Sequence, residues 1–196
     1  MTHPRKMKIA QLYNKAVYKG IETGDWNFLE SCFIEMSEYE GDPSVFPEGV
    51  FEQITQLLST TCFLQATGSH NVLRLLQYDW DILSDDQKQK LLSLFEESYF
   101  KFKDTLSCFL IAEILGLRYC NAESLDLLNK LSMGALEDVR VFIPMGFFNI
   151  ASNSSNAQLR IESYRALARM RNDISAIVRA EATNLLAQLP SVDGDP

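Results

Sequence analysis

The sequence predicts an all-α fold, and three observations point to it. Apolar residues recur at intervals of three and four along most of the chain, as in Leu91, Leu94 and Phe95. Turn-forming residues interrupt this pattern at regular distances. Residues 125–150 also reappear in chemical outline at 164–189, a displacement of 39 positions (164 − 125). Self-similarity at a period of this size is typical of proteins built from stacked helical units.

Turn and capping residues divide the first half of the chain into five predicted helices. Asp25 is a suitable N-cap for the second helix, because its carboxylate can accept hydrogen bonds from the first backbone N–H groups. Pro47 fits the first turn of the third helix, and Gly68 precedes the fourth. Ser84 with Gln87 forms a capping box at the start of the fifth. The predicted bounds are about 5–20, 25–38, 47–63, 68–80 and from 84 onward.

Five further helices are predicted in the second half. Asp104 and Asn121 are the N-caps of the sixth and seventh helices, and Gly116 weakens or closes the last turn of the sixth. Pro144 lies inside the eighth helix, where the loss of a backbone donor predicts a kink. The predicted bounds are about 104–116, 121–134, 135–151, 156–171 and 174–188.

Ten helices with short connections predict about five antiparallel pairs in a single domain, residues 1–196. Irregular helices occupy 1–80, the repeats occupy 84–189, and a frayed tail follows at 190–196.

Residues 177–186 read IVRAEATNLL, and Val139-Arg140 begins the preceding unit in the same way. This segment resembles the second helix of a HEAT-type repeat. In that family a Val-Arg pair is followed by a small residue three positions after the arginine and then by leucines. The resemblance is best over 120–189. It implies a right-handed α–α superhelix that works as a protein-binding scaffold, with Arg140 and Arg179 bonding acids or carbonyls along the seams between repeats.

The charge of the chain is unevenly distributed. The net charge is −8, yet residues 1–21 carry five cations and no acid, and residues 22–97 carry fifteen acids against three cations. A field of this sign repels phosphate backbones and attracts basic proteins. The alternative is that the acids only keep the protein soluble.

The chain has no apolar run long enough to span a bilayer. Residues 1–8 are basic with no apolar stretch behind them, so we expect no secretory signal. Its four cysteines are widely spaced and favour reduced, half-buried packing residues. These features predict a cytoplasmic protein with no membrane association.

Residues able to support catalysis or metal binding are scarce. Only His3 and His70 could serve as an imidazole base, and a dyad of His70 with Cys62 has no local signature. The acids that begin at Asp79 do not form a calcium loop, because the twelfth residue from Asp79 is Lys90 rather than a glutamate. The sequence therefore predicts no enzyme activity, no cofactor and no metal.

Acidic residues interleaved with aromatic ones are the candidate contacts for a partner. Aromatic anchors inside a charged rim are what a binder of a basic protein would use. The alternatives are solvated loop acids and aromatic residues of the core. The candidate partner-binding residues are Glu38, Tyr39, Glu40, Asp42, Asp79, Trp80, Asp81 and Asp85.

A cluster of arginines on the last two predicted helices is the main basic feature outside the N-terminus. It could bind phosphate or an acidic peptide, or it could be a solvated face. The cluster comprises Arg160, Arg165, Arg169, Arg171 and Arg179.

These features favour a non-catalytic protein-binding module. Its most concrete form is an acidic immunity or inhibitor protein that binds and blocks a basic toxin, such as a nuclease, with acids in place of nucleic-acid phosphates. One alternative is an adaptor or assembly subunit that docks through the ninth and tenth helices. Another is a HEAT-like nucleic-acid-binding or base-repair protein, in which Trp80 or Trp26 acts with a neighbouring aspartate on a base. The negative middle third disfavours nucleic acid.

Overall fold

The computed structural model describes residues 18–20, 22–24, 26 and 50–190. Within these ranges every regular element is helical and no strand occurs, which confirms the all-α class. Ten α-helices lie within residues 50–190. They are α1 Val50–Leu58, α2 Thr61–Leu64, α3 His70–Tyr78, α4 Asp85–Ser98, α5 Thr105–Glu113, α6 Ala122–Ser132, α7 Glu137–Arg140, α8 Ile143–Asn153, α9 Ala157–Arg169 and α10 Ala176–Leu186.

Short 3₁₀ turns extend three of these helices or link them to the next, at Trp80–Ile82, Tyr99–Lys101 and Met170–Asn172. None of the described helices is both long and apolar enough to cross a bilayer. Apart from Trp26, the predicted helix over 25–38 lies outside the described residues, as does the proposed start of the third helix at Pro47.

The chain divides into two compact units, one up to Ser107 and one from Cys108 onward. The boundary falls within α5, whereas the sequence suggested a change from irregular helices to repeats between residues 80 and 84.

The first unit is organised around large buried side chains. Trp80, Phe95 and Tyr99 are almost completely buried, and α1 packs against α4. The rings of Trp26 and Phe63 meet edge to face, with centroids 4.9 Å apart. Burial of aromatic side chains on this scale is the main source of stability for a small helical unit.

The predicted third helix, which was expected to run to about Phe63, is broken into α1 and α2. The break lies at Ser59 and Thr60, and Thr60 has an extended backbone. The Ser59 hydroxyl donates to the Thr55 carbonyl at 2.8 Å, and the Thr60 hydroxyl donates to the Gln56 carbonyl at 2.7 Å. Hydroxyl groups that bond back to the preceding turn compete with helix continuation.

Two helices of the second unit, α6 and α9, begin where the sequence predicted. The Asn121 side chain accepts a hydrogen bond from the Ser124 N–H at 2.9 Å, and the Ser124 hydroxyl reciprocates at the Asn121 N–H. Asn156 likewise caps α9 by accepting from the Leu159 N–H at 3.2 Å. Helix α8 packs against α6, α9 and α10, and its Phe147 side chain is buried in the core of this unit.

The predicted eighth helix, 135–151, is two helices in the structure. Helix α7 ends at Arg140 and α8 begins at Ile143, so Pro144 is the second residue of a new helix. The first backbone N–H groups of a helix have no acceptor within it, and a proline there loses nothing. The expected kink is therefore wrong: the chain breaks the helix before the proline.

Gly116 also has a role that the sequence did not predict. It lies in a π-helical turn, Ile114–Arg118, that follows α5. A Cβ atom on Gly116 would lie 2.7 Å from the carbonyl oxygen of Gly146 in α8. The glycine therefore permits close packing of α8 against this turn.

Candidate functional site

Residues 79–86, called the acidic turn below, hold four aspartates and no cation. Asp79 ends α3, Asp81 lies in the following 3₁₀ turn, and Asp85 and Asp86 begin α4. A run of like charges over so few residues produces a local negative potential that a basic protein can recognise at a distance.

Buried neighbours fix the backbone of the acidic turn. Trp80 and Leu83 are 1% and 4% exposed, and the Leu83 N–H donates to the Trp80 carbonyl at 3.2 Å. The predicted capping box is confirmed next to them. The Ser84 N–H donates to Gln87 Oε1 at 2.9 Å, and the Gln87 N–H donates to Ser84 Oγ at 3.3 Å. The carboxylates thus project from a constrained backbone.

The predicted contact residues have different environments. Asp81 and Asp85 are exposed and Asp79 is partly buried. Trp80 is buried, so its indole offers no surface to a partner, and its assignment as a contact residue is corrected to a core residue. Such an inward-facing aromatic anchors the turn on which the acids stand. The remaining candidates, Glu38, Tyr39, Glu40 and Asp42, lie outside the described residues.

The negative charges of Asp85 and Asp86 are stabilised by their position in the first turn of α4. Their charges face the unsatisfied N–H groups and the positive end of the helix dipole. The next cations along the helix are Lys88 and Lys90, and the Lys90 ammonium lies 5.8 Å from the centre of the Phe51 ring. The exposed acids of the turn are therefore compatible with the fold and remain accessible.

The structure assigns His70 to a link between helix starts. Its Nδ1 lies 2.5 Å from Asp104 Oδ2, and Asp104 Oδ1 accepts from the Leu106 N–H at 3.1 Å. Asp104 thus precedes the start of α5 as predicted, and its second oxygen meets His70 at the start of α3. Both side chains of the pair are partly buried.

No group of three or more metal-binding side chains occurs among the described residues. The described cysteines, Cys62, Cys108 and Cys120, are free thiols. Cys108 is buried and Cys120 is partly buried, whereas Cys62 is exposed and so does not fit the expected packing role.

In the second unit, one arginine makes a dense set of contacts. Arg140 Nε donates to Asp173 Oδ2 at 3.0 Å, and Arg140 Nη2 donates to Asp173 Oδ1 at 2.8 Å. Its Nη1 donates to the Gly134 carbonyl at 2.5 Å. Arg179 Nη1 donates to the carbonyls of Asp173 and Ile174, at 2.7 and 2.9 Å. Both arginines thus bond the kinds of groups that the HEAT resemblance implied.

The repeat in the sequence has a counterpart in these hydrogen bonds. The displacement of 39 that relates Arg140 to Arg179 also relates Gly134 to Asp173 (173 − 134). In each case the guanidinium donates to the carbonyl six residues earlier. Arg160 Nη1 donates in the same way to the Ser154 carbonyl at 2.9 Å. This hydrogen bond therefore occurs at the starts of α7, α9 and α10 and is not limited to the 39-residue period.

The pair between Arg140 and Asp173 changes the protonation equilibria of both groups. The hydrogen bonds from Arg140 lower the pKa of Asp173, and they outweigh burial, which raises it. The Ser175 N–H, which donates to Asp173 Oδ1 at 2.8 Å, lowers this pKa further. The hydrogen bonds with Asp173 raise the pKa of Arg140. Both groups are thus held in their charged forms.

Four exposed apolar residues near Arg140 and Asp173 were not predicted from the sequence. Met133, Leu136, Ile174 and Ile177 are 85%, 52%, 89% and 62% exposed. Met133 follows the last residue of α6, Leu136 and Ile174 lie just before α7 and α10, and Ile177 lies in the first turn of α10. An apolar residue next to a turn-forming residue was the sequence signal that could have indicated these exposed positions.

No protein-family model matches this chain, and neither the curated proteins nor the solved structures contain a match to it.

Proposed function

We propose that this chain is a non-catalytic protein-binding module that uses the acidic turn to bind a basic protein. Its most concrete form is an immunity or inhibitor protein that blocks a basic toxin such as a nuclease. One observation carries the proposal: Asp81, Asp85 and Asp86 are exposed on a turn that contains no cation and is anchored by buried Trp80.

The physical basis of the proposal is electrostatic complementarity. Exposed carboxylates accelerate the encounter with a basic partner and orient it, and salt weakens this effect. A nuclease has cationic side chains that bind phosphates. Aspartates on a fixed backbone can pair with those side chains in place of phosphates, and they offer no bond for the nuclease to cleave. Preorganisation by the capping box lowers the entropic cost of binding.

The proposed architecture is a right-handed superhelix of HEAT-like helix pairs. The 39-residue repeat of the sequence supports it, and Arg140 and Arg179 make equivalent hydrogen bonds at the corresponding helix starts. Stacked helix pairs present a long surface for partners. Glu38, Tyr39, Glu40 and Asp42 remain proposed members of the contact set, and a cytoplasmic location remains part of the proposal.

An adaptor or assembly subunit is the second candidate. The exposed Met133 and Ile174 favour it, because large apolar side chains at such exposure often belong to interaction sites. The third candidate, a base-acting protein, needs an accessible aromatic residue to hold a flipped base. Trp80 and Trp26 are 1% and 2% exposed, so neither ring is available for stacking.

The test is a comparison of two triple variants with the same change in net charge. Asp79→Asn, Asp81→Asn and Asp85→Asn remove charge from the acidic turn. The control variant removes three exposed charges elsewhere by Glu96→Gln, Glu97→Gln and Asp126→Asn. The probes are cytochrome c, as a generic basic protein, and purified basic proteins encoded by the adjacent reading frames. Association rates are measured by stopped-flow fluorescence between low and physiological salt.

The acidic-turn variant should associate with a basic probe about tenfold more slowly than the native chain at low salt, a reduction within the range that electrostatic steering accounts for. The control variant should lose much less. Equal losses in the two variants would assign the effect to net charge alone. An association rate that does not change with salt would refute charge steering.

A further inference from the structure

A second surface, in the second unit, has the composition of a docking site for a partner of the opposite charge. It combines exposed aliphatic side chains with exposed arginines. We call it the apolar–arginine face and define it by Met133, Leu136, Arg169, Arg171, Ile174 and Ile177.

One buried guanidinium brings the two segments of this face together. Arg140 donates to the carbonyl of Gly134, which follows Met133, and to the carboxylate of Asp173, which precedes Ile174. Met133 and Ile174 are therefore held near each other by a side chain that is only 3% exposed. The protein fixes two strongly exposed apolar residues on a rigid support, as expected for a preorganised binding surface.

A cavity of about 490 Å³ opens beside Met133. Its lining includes Asn129, Met133, Ala166, Arg169 and Met170. This volume lies in the range that holds a small ligand or one or two large side chains of a partner. A mixed lining of methionine and polar groups suits an apolar anchor whose rim is polar.

The charge that a ligand would meet at the cavity is positive. Asp173 is the acid of the lining, and both of its oxygens accept hydrogen bonds from Arg140. Arg169 is exposed and donates one hydrogen bond, to Asn129 Oδ1 at 3.2 Å, which leaves further N–H donors for a ligand. Arg171 is exposed one residue beyond Met170. The cavity therefore favours an anionic group next to an apolar one.

We propose that the apolar–arginine face binds an acidic peptide segment of a partner protein. A large apolar side chain of the segment occupies the cavity beside Met133, and its carboxylates pair with Arg169 and Arg171. Glu137 and Asp138 are exposed in the first turn of α7. They repel the carboxylates of the segment, which therefore lie toward Arg169 and Arg171 and fix the orientation of the segment. This proposal concerns a different unit and the opposite partner charge, so it does not depend on the function of the acidic turn.

Other occupants fit the face less well. A nucleic acid offers phosphates to the arginines but little to the aliphatic side chains. A second copy of the chain would bury the apolar side chains, yet Arg169 and Arg171 would need acids at matching places on that copy. An acidic peptide with apolar anchors satisfies both parts of the surface.

The test uses three labelled twelve-residue peptides and fluorescence anisotropy with the full chain. The first alternates glutamate pairs with leucine and phenylalanine. The second replaces each glutamate by lysine, and the third replaces each leucine and phenylalanine by serine. Short single-stranded RNA of the same length is a fourth probe, and sedimentation velocity reports self-association.

The matched variants change residues near opposite ends of α6, since Met133 follows its last residue and Arg169 donates to Asn129 near that end. Met133→Ser with Arg169→Ala alters the face, and Leu117→Ser with Arg118→Ala alters exposed residues before the start of α6. Helix α6 has 11 residues, which separates the two places by about 16 Å at 1.5 Å per residue. All four side chains are exposed, and circular dichroism confirms that each variant is folded.

The acidic apolar peptide should bind at least tenfold more tightly than either altered peptide. The face variant should weaken that binding about tenfold, a typical effect for residues at the centre of an interface. The control variant should keep it within about twofold. Weak binding of all peptides, equal binding of RNA, or self-association that the face variant abolishes would each overturn the proposal.

Discussion

Arg140 and Asp173 are 33 residues apart in the sequence and are joined by two hydrogen bonds between a guanidinium and a carboxylate. Their side chains are 3% and 11% exposed. Removing one member of such a pair leaves the other charged and poorly solvated, and that costs far more than the loss of a surface pair. The pair joins the end of α7 to the segment before α10, so it is a structural element of the second unit.

We predict that Asp173→Asn lowers the free energy of unfolding of the second unit by about 3 kcal/mol, because it leaves the Arg140 charge buried without a counterion. The control is Asp126→Asn, which removes an exposed ion pair in which Asp126 Oδ2 lies 3.4 Å from Lys130 Nζ. This substitution should lower the free energy of unfolding by less than about 0.5 kcal/mol.

Both tryptophans of the chain, Trp26 and Trp80, lie in the first unit. Tryptophan fluorescence therefore follows that unit, and circular dichroism follows both. In urea titrations, Asp173→Asn should move the dichroism transition more than the fluorescence transition. If Asp173→Asn and Asp126→Asn lowered the free energy of unfolding equally, the buried pair would add no more stability than an exposed one.

The same pair predicts a loss of stability in acid. Its hydrogen bonds lower the pKa of Asp173 below the ordinary value of 3.8. A carboxyl group with a lowered pKa in the folded state stabilises that state above its unfolded pKa, and this contribution is lost as the pH falls through the folded pKa. Urea midpoints from dichroism should therefore decline below about pH 4. The decline should be shallower in Asp173→Asn, and an unchanged slope would contradict this assignment.

Local chemistry made much of the fold predictable. The capping box of Ser84 and Gln87 and the cap at Asn121 were read directly from the sequence, because a cap depends only on residues within one turn. The hydrogen bonds of Arg140 and Arg179 were expected in kind, though not with Asp173 as the carboxylate. A partner that is distant in sequence cannot be identified from local pattern alone.

The site was less predictable for the same reason. Trp80 stands between two aspartates, and spacing alone does not show which way a side chain points in a 3₁₀ turn. Pro144 was read as a kink because apolar residues continue across 135–151, and periodicity does not reveal a two-residue break. Met133 and Ile174 lie beside turns, where apolar residues are not assigned to a helix stripe.

We predict that Gly116→Ala is more damaging than Gly146→Ala. The new Cβ on residue 116 would lie 2.7 Å from the backbone oxygen of Gly146. A Cβ on residue 146 would meet the end of the Leu128 side chain at 2.6 Å, and its nearest backbone atom, the Ala112 oxygen, lies farther away at 3.2 Å. Backbone cannot move aside as a leucine methyl can, so Gly116→Ala should cost about 2 kcal/mol. Urea unfolding followed by dichroism tests the order, and a milder effect at 116 would contradict the packing argument.

Two substitutions of the buried Trp80 distinguish its effect on the free energy of unfolding from any effect on binding to a basic partner. Trp80→Ala should lower the free energy of unfolding by about 4 kcal/mol, because it empties a site that is 1% exposed. Trp80→Phe keeps most of the packing and should retain the association rate with a basic probe, since the exposed carboxylates of Asp81 and Asp85 are unchanged. The measurements are urea unfolding by tryptophan fluorescence and dichroism, and stopped-flow association at low salt. If Trp80→Phe folded normally but associated as slowly as the triple acidic-turn variant, the indole would be a contact and its assignment to the core would be wrong.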